Sequence, residues 1–382
     1  MVKEIYLDNA STTKVLPDVA KGVLDVLTKN YGNASSLHKK GEKARDITEM
    51  TREKVAKFIK AKPSEIIFTS GGTESNNLAI RGLAKANPKK KHIITSVIEH
   101  PSVLETCKDL EEEGYNVDYV KVDKEGIVDL KDLKDKINDD TLVVSVMHVN
   151  NEIGTIQPIE EIGQICRERK VYFHTDAVQS FKKLEIDVSG MNVDLMSVSG
   201  HKFGAPKGIG FLYVKQGTNI KGILTGGGQE KGLRSGTENT SGIVGLAVAL
   251  DFDFNRAEIR KLRDKMIEEI LKIGGVRING SVEKRVHNNI NVSFFGIEGE
   301  SLMLLLNEKG IFVSTGSACA SSKLRESYVL KAIGVDEMYI NGSIRITLGE
   351  ITEKDAEDVV KCIKESVERL KKISPFKFKE EI

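Results

Sequence analysis

Short apolar runs alternate with amphipathic stretches along the first two thirds of the chain. The runs are rich in β-branched residues and predict strands at residues 65–70, 91–96, 117–122, 141–149, 171–176, 193–199 and 208–214. Between the earlier runs, TESNNLAIRGLAKA and PSVLETCKDLEEEG carry apolar residues at helical spacing, whereas a shorter, loop-rich connector precedes residues 193–199. Strands that alternate with helices predict an α/β fold, with a mostly parallel seven-stranded sheet and helices on both of its faces.

The pattern changes after about residue 255. A long charged amphipathic helix, NRAEIRKLRDKMIEEILKIG, leads into VRING, NNINVSFF, a helix at ESLMLLLNEKG and the run SIRITLG. The last helix begins at TEKD, which has the composition of a helix cap. We therefore predict a large domain at residues 15–255 and a smaller α+β domain at residues 256–382.

Composition and charge exclude several classes of protein. The chain has 382 residues, of which 40% are hydrophobic, enough for a sizeable core. Its 57 basic and 56 acidic residues leave a net charge of +1, so the strongly basic field of a nucleic-acid or anionic-membrane binder is absent. No apolar run approaches the ~18 residues of a membrane span, and MVKEIYLDN lacks the apolar stretch of a signal peptide. We expect a soluble, cytoplasmic protein that binds neither nucleic acid nor membrane.

The four cysteines indicate neither a zinc site nor a disulfide framework. They are scattered without a CxxC pair. Cys107, Cys166 and Cys362 follow apolar residues at helical spacing and are expected in or near the core. Cys319 differs, because the small residues of STGSACASS offer no apolar face. We predict that Cys319 lies on an accessible loop and that the chain has no metal site of its own.

The sequence FTSGGTES predicts an anion site at the end of a strand. The strand ends at Gly71 and Gly72, and a helix opens with Thr73 as its expected cap. Backbone N–H groups at a helix N-terminus bind phosphate well. A purely structural capped turn explains the same residues, so this motif alone leaves both interpretations open.

Two further strand ends carry a carboxylate and an amine. VYFHTD ends at Asp176, and the next strand ends just before Lys202 in SVSGHKFGAPKG. Together with a phosphate cradle, these are the groups that hold pyridoxal phosphate: the carboxylate keeps the ring nitrogen protonated and the lysine forms the Schiff base. His100, in SVIEHPSV, is an aromatic candidate at another strand end. The alternative is a simple salt bridge between Asp176 and Lys202.

Nine motifs, in order along the chain, resemble the cysteine desulfurases of the NifS/IscS family. They are LDNASTT, FTSGGTES, EHPSV, MHVNNEIGTIQPI, HTDAVQS, SVSGHKFGAPKG, GGGQEKGLRSGTEN, VSTGSACAS and SIRITLG. The resemblance runs from about Tyr6 to Ser374. It implies a dimeric enzyme of pyridoxal-phosphate fold type I that takes sulfur from L-cysteine and leaves L-alanine. It also implies an N-terminal segment, residues 1–14, that packs on the small domain.

The resemblance implies a role for each matching residue. Lys202 would be the Schiff-base lysine and the base at the substrate Cα, and His100 would stack on the ring and shuttle a proton. Arg345 would bind the substrate carboxylate, with Asn151 nearby. The remaining cofactor contacts would be Asp176 at the ring nitrogen, Gln179 and Asn151 at the ring oxygen, Gly72, Thr73, Ser199 and His201 at the phosphate, and Thr237 at the partner subunit's phosphate.

Cys319 would complete the reaction by attacking the substrate sulfur and holding it as a persulfide. An iron-sulfur scaffold protein or a tRNA-thiolation protein would then accept the sulfur, and Cys319 would be a transient cluster ligand in a scaffold complex. Two other classes of function stay open. A different class V pyridoxal-phosphate enzyme, such as an aminotransferase or selenocysteine lyase, would share Lys202 and Asp176 but not GSACAS. A non-catalytic sulfur carrier would need Cys319 alone.

Overall fold

The computed structural model describes residues 3–315 and 326–376. The strands in these residues are β1 (Ile5–Tyr6), β2 (Ile66–Thr69), β3 (His92–Ser96), β4 (Asn116–Val120), β5 (Thr141–Ser145), β6 (Tyr172–Asp176), β7 (Leu195–Ser199), β8 (Gly210–Val214), β9 (Val276–Ile278), β10 (Asn289–Phe294), β11 (Ile311–Phe312) and β12 (Ser343–Thr347). The helices are α1 (Pro17–Thr28), α2 (Lys39–Phe58), α3 (Gly72–Ala86), α4 (Pro101–Glu112), α5 (Leu130–Lys136), α6 (Ile159–Arg169), α7 (Thr240–Asp251), α8 (Arg256–Leu271), α9 (Gly299–Glu308), α10 (Tyr328–Ala332), α11 (Glu337–Ile340) and α12 (Glu353–Ile373).

The central sheet has seven strands in the order β2-β8-β7-β6-β5-β3-β4. Only β8 runs antiparallel to its neighbours β2 and β7, so the predicted mostly parallel sheet is confirmed. The predicted strand 141–149 is too long, because β5 ends at Ser145. The apolar pattern continues beyond it because Met147 and Val149 are buried outside the sheet.

Helices cover both faces of this sheet, as predicted. On one face, Leu78 of α3 and Val103 of α4 pack against the strands. On the other face, the core includes Val55 of α2, Ile162 of α6 and Leu246 of α7. Both faces of the strands are therefore buried, which is why the runs are continuously apolar rather than alternating.

The C-terminal part of the chain has its own hydrophobic core. An antiparallel sheet, β12-β10-β9, packs with α8, α9 and α12. α12 begins at the predicted cap, where Thr352 and Asp355 form a capping box. β1 pairs in parallel with β11, and Ile5 and Leu7 belong to this same core. In the described residues, no helix combines the length and the apolar composition that a membrane crossing requires.

Helix α9 provides a matched pair for a test of the small-domain core. We expect Leu302→Ala to lower the free energy of unfolding by about 2–5 kcal/mol, because the loss of a buried leucine side chain leaves a cavity. Leu302 is fully buried, whereas Leu304 on the same helix is 58% exposed. Leu304→Ala should therefore change the free energy of unfolding by less than about 0.5 kcal/mol. Urea denaturation of the cofactor-free protein, followed by circular dichroism, measures both. Equal losses would contradict this packing.

Candidate active site

A cavity of about 250 Å³ lies where the carboxyl ends of β6 and β7 meet the start of α3. Arg345, on β12 of the C-terminal antiparallel sheet, also reaches it. The cavity is therefore lined by both parts of the chain. The predicted site residues that line it are Gly72, Thr73, His100, Asn151, Asp176, Gln179, Ser199, His201, Lys202 and Arg345.

A hydrogen-bond network fixes the carboxylate of Asp176 at the end of β6. Asp176 is buried, and its Oδ2 accepts a hydrogen bond from Asn76 Nδ2 at 2.8 Å. Its Oδ1 accepts from the backbone N–H of Val178 at 2.9 Å. Asn76 Nδ2 also donates to Ser102 Oγ at 2.8 Å. Asp176 is thus held as an oriented acceptor by the side-chain amide of Asn76 and the backbone N–H of Val178.

His100 is held in one orientation at the start of α4. The backbone N–H of Ser102 donates to His100 Nδ1 at 3.1 Å, and Ser102 Oγ lies 2.8 Å from the same atom. Because a backbone N–H can only donate, Nδ1 carries the lone pair and the neutral ring carries its proton on Nε2. Burial lowers the pKa of His100 below its ordinary value; the charge of Asp176 opposes this shift and that of Lys202 reinforces it. The ring is neutral at pH 7.

Lys202 lies in a single 3-10 turn, Gly200–Lys202, directly after β7. Its Nζ donates to the backbone oxygens of Ala10 and Ser11, at 2.7 Å and 2.8 Å. Gln179 Nε2 donates to the same Ala10 oxygen at 2.9 Å. Residues of the N-terminal segment therefore lie against the lysine.

Arg345 is buried on β12 and is held by three polar groups. Its Nη2 donates to Asp8 Oδ1 at 2.8 Å and to Ser11 Oγ at 2.7 Å. Its Nη1 donates to the backbone oxygen of Asn151 at 3.0 Å. Its Nε has no hydrogen-bond partner within the described part of the chain. The guanidinium is oriented and keeps one buried donor for a ligand.

The start of α3 forms a cradle of backbone N–H groups. The prediction that Thr73 caps this helix is wrong: Gly71 is the N-cap, with φ of 152°, and Thr73 lies in the first turn. Gly71 adopts a conformation that other residues rarely reach, so the helix begins earlier. A Cβ on Gly72 would lie 2.6 Å from Val178 Cγ2. No side chain in residues 3–315 and 326–376 caps α3, so its first N–H groups are available to an anion.

Two other predicted phosphate contacts lie beside this cradle. Ser199 is buried at the end of β7. His201 Nδ1 lies 3.1 Å from Thr12 Oγ1. Burial, reinforced by the charges of Lys202 and Lys207, lowers the pKa of His201 to about 4. His201 is therefore a neutral hydrogen-bonding group at pH 7.

Of the predicted site residues that the structure describes, Thr237 does not line the cavity. Thr237 is exposed. The loop that precedes it is anchored by Glu230, whose carboxylate accepts from Arg52 Nη2 at 2.8 Å and from the backbone N–H of Phe68 at 3.0 Å. Cys319, with the accessible loop predicted around it, lies outside the described residues.

A buried carboxyl group lies next to His100. Glu99 Oε1 accepts from Ser96 Oγ at 2.5 Å and from the backbone N–H of Met147 at 3.0 Å. Burial raises the pKa of Glu99 to about 8, although both of these hydrogen bonds oppose the shift. Glu99 is therefore largely protonated at pH 7 and adds little negative charge near Asp176.

Sequence reasoning missed several residues of the cavity and its surroundings. Ala10, Asn76, Ser102, Met147 and Val178 line it without having been predicted. Asn76 carried a detectable signal, because it lies one turn before Ile80 on the buried face of α3, where an apolar residue is expected. The backbone oxygen of Ala10 carried none, since any residue would supply it.

Three comparisons identify the family. The Aminotransferase class-V family model matches residues 5–360. The protein named cysteine desulfurase IscS of Methanosarcina thermophila is 49% identical over 386 residues, covering 99% of this chain and 95% of that protein. A solved NifS-like protein has a TM-score of 0.91 at 40% identity, covering 96% of this chain and all of that one. A structure described as SspA in complex with cysteine has a TM-score of 0.82 at 39% identity, with coverage of 91% and 99%. The chain therefore belongs to the class V aminotransferase family and, within it, to the cysteine desulfurases of the NifS/IscS family.

Proposed function

We propose that this chain removes the sulfur of L-cysteine, releases L-alanine and holds the sulfur as a persulfide on Cys319. The observation that carries this proposal is that Lys202, Asp176 and Arg345 line one cavity. The first two are typical partners of pyridoxal phosphate, and a buried arginine suits an amino-acid carboxylate. The similarity to proteins named cysteine desulfurase, and to a structure that contains cysteine, supports the choice of substrate.

The cofactor of this family is pyridoxal 5′-phosphate. When bound, it withdraws electrons from the bonds at the substrate Cα. The residues present fit this group. The uncapped start of α3 suits its phosphate, and the buried, hydrogen-bonded carboxylate of Asp176 suits a protonated ring nitrogen. Lys202 would bind the cofactor covalently, and Asp176 would keep its ring nitrogen protonated.

The other contacts follow from the chemistry of each side chain. His100 would stack on the ring, and Gln179 and Asn151 would bind the ring oxygen. The phosphate would be held at the start of α3 by Gly72, Thr73, Ser199 and His201. His201 would be an uncharged phosphate contact at pH 7, since its pKa is lowered to about 4. The N-terminus of α3 would add positive potential at the phosphate.

Arg345 would bind the carboxylate of L-cysteine, with Asn151 beside it. Asp8 and Ser11 already fix the guanidinium from one side. The arginine therefore loses little conformational freedom when the substrate arrives. Lys202 would remove the proton from the substrate Cα and later return one, since it projects from the end of β7 into the same cavity.

Cys319 would act as the nucleophile toward the substrate sulfur. A sulfur-sulfur bond forms as the carbon-sulfur bond of L-cysteine breaks. In total, L-cysteine and the Cys319 thiolate give L-alanine and the Cys319 persulfide anion, so no external oxidant or reductant is needed. A thiolate is required because the thiol is a poor nucleophile.

The chain would interact with a second copy of itself and with a protein that accepts the sulfur. The chain would act as a homodimer in which Thr237 contacts the partner subunit's phosphate; its exposure and its position outside its own cavity support this. An iron-sulfur scaffold or another persulfide acceptor would take the sulfur. Cys107, Cys166 and Cys362 are free thiols, which suits a reducing, cytoplasmic environment.

The protonation of His100 can be tested without turnover. We expect this residue to titrate below pH 6.5 and, above that, to carry its proton on Nε2, because burial disfavours the cation and Ser102 N–H occupies Nδ1. Histidine NMR of the cofactor-free protein, assigned with His100→Gln, measures both properties. A pKa at or above 6.5, or a proton on Nδ1, would contradict the described geometry.

The role of Cys319 separates substrate binding from sulfur transfer. Cys319→Ser should still change the visible absorbance of the bound cofactor when L-cysteine is added. Its formation of alanine should fall to background, because the sulfur has no acceptor. Cys362→Ser is the matched control, since Cys362 is partly buried on α12, and it should keep the wild-type rate. Wild-type turnover by Cys319→Ser would show that another group accepts the sulfur.

Subunit mixing tests Lys202 and Thr237 together. Lys202→Ala should inactivate its own site, whereas Thr237→Asp should inactivate the neighbouring site by repelling the phosphate. Heterodimers of the two variants then contain one intact site, and their activity should return to at most about half that of wild type if the sites are independent. Native mass spectrometry confirms heterodimer formation. Heterodimers without activity would place Thr237 in its own subunit's site or in none.

A further inference from the structure

Lys183 lies behind Gln179, outside the cavity lining. Its Nζ donates to Gln179 Oε1 at 2.8 Å. The side chain is partly buried, and no carboxylate in the described ranges forms an ion pair with it. A protonated amine in such a place usually lowers the free energy of unfolding, since a buried charge without a counter-ion is unfavourable.

The contact with Lys183 determines which way the Gln179 amide points. The amine of Lys183 has N–H donors in both protonation states, and it donates to the amide oxygen of Gln179. Nε2 then points to the opposite side, where it donates to Ala10 O at 2.9 Å. The Ala10 oxygen also accepts from Lys202 Nζ at 2.7 Å. A continuous hydrogen-bonded path therefore joins Lys183, Gln179, Ala10 and Lys202.

The groups around Lys183 are mainly cationic. Burial, and then the charges of Lys202 and Arg345, lower the pKa of Lys183 to about 7. His287, just before β10, is affected by its charge, and Arg256 of α8 donates to the Lys183 backbone oxygen at 3.4 Å. Below about pH 7, where it is protonated, Lys183 adds positive potential on the Gln179 side of the cavity.

We propose that Lys183 is a positioning residue that locks the Gln179 amide with Nε2 toward the cavity, so that the cofactor's ring oxygen meets a hydrogen-bond donor. This inference rests on the proposed function, namely on contact between Gln179 and that oxygen. A donor at the ring oxygen favours its anionic form. Loss of the donor and of the nearby cation both make the cofactor-lysine linkage harder to deprotonate.

The effect of Lys183 on the orientation of the Gln179 amide can first be measured in the cofactor-free protein. Lys183→Met keeps the length of the side chain but removes the donor. It should accelerate hydrogen exchange of the Gln179 side-chain amide by about tenfold, because the amide can then rotate. Lys183→Arg should restore slow exchange. The melting temperature of Lys183→Met should equal or exceed that of wild type, since an uncompensated cation is removed.

The pH dependence of the cofactor's visible absorbance then tests whether this orientation affects deprotonation of the cofactor-lysine linkage. Lys183→Met should raise the midpoint by about one pH unit, and Lys183→Arg should leave it near the wild-type value. In a Gln179→Ala background, Lys183→Met should add less than half of that shift. Lys182→Met is the matched control, because Lys182 Nζ donates to Leu250 O and Phe252 O instead, and it should not move the midpoint.

The outcomes separate this inference from the function on which it rests. If the wild-type protein binds no cofactor or does not release alanine from L-cysteine, the proposed function fails and this inference fails with it. If the wild type behaves as proposed but Lys183→Met leaves the midpoint unchanged, only the role of Lys183 is overturned. A full shift from Lys183→Met in the Gln179→Ala background would also overturn it, since Lys183 would then not act through Gln179.

Discussion

The backbone oxygen of Ala10 accepts hydrogen bonds from Lys202 Nζ and Gln179 Nε2, so one atom holds two side chains from the segments that follow β7 and β6. The neighbouring residues Asp8 and Ser11 accept hydrogen bonds from Arg345 on β12. A buried guanidinium without a carboxylate would be strongly unfavourable. The N-terminal segment therefore contacts both Lys202 and Arg345 and sets the distance between these two side chains. The other contacts of the cavity depend on that distance.

A row of polar side chains lies behind the cavity within an otherwise apolar sheet. Thr95 Oγ1 donates to Ser145 O, and His174 lies between Ser145 Oγ and Ser197 Oγ, at 2.8 Å and 2.9 Å. Burial lowers the pKa of His174 to about 3, so this histidine is neutral. Side chains two residues apart share a face, so His174 lies next to Asp176 without offering it a counter-ion. The charge of Asp176 stays available to the cavity.

Most of the fold could be predicted from the sequence because burial on two sheet faces imposes apolar runs of strand length. Asp176 and Lys202 could be predicted for a related reason, since polar residues at the ends of such runs must lie at one edge of a parallel sheet. Three other features of the site have no recognisable signal in the sequence. The oxygen of Ala10 is independent of residue type, and the contact between Lys183 and Gln179 depends on a loop-rich connector without periodicity. The helix start at Gly71 depends on a backbone angle that the GGT sequence permits but does not impose.

The pairing of β1 with β11 has a consequence for synthesis of the chain. Ile5 lies opposite Ile311, so β1 can pair with its partner only after about 300 further residues have been translated. The seven strands of the central sheet all lie between these two residues and can assemble earlier. Domains generally fold as units during translation, and contacts between distant residues form late. The residues that contact Lys202 and Arg345 are thus translated early, but the pairing that holds them in place forms only after β11 has been made.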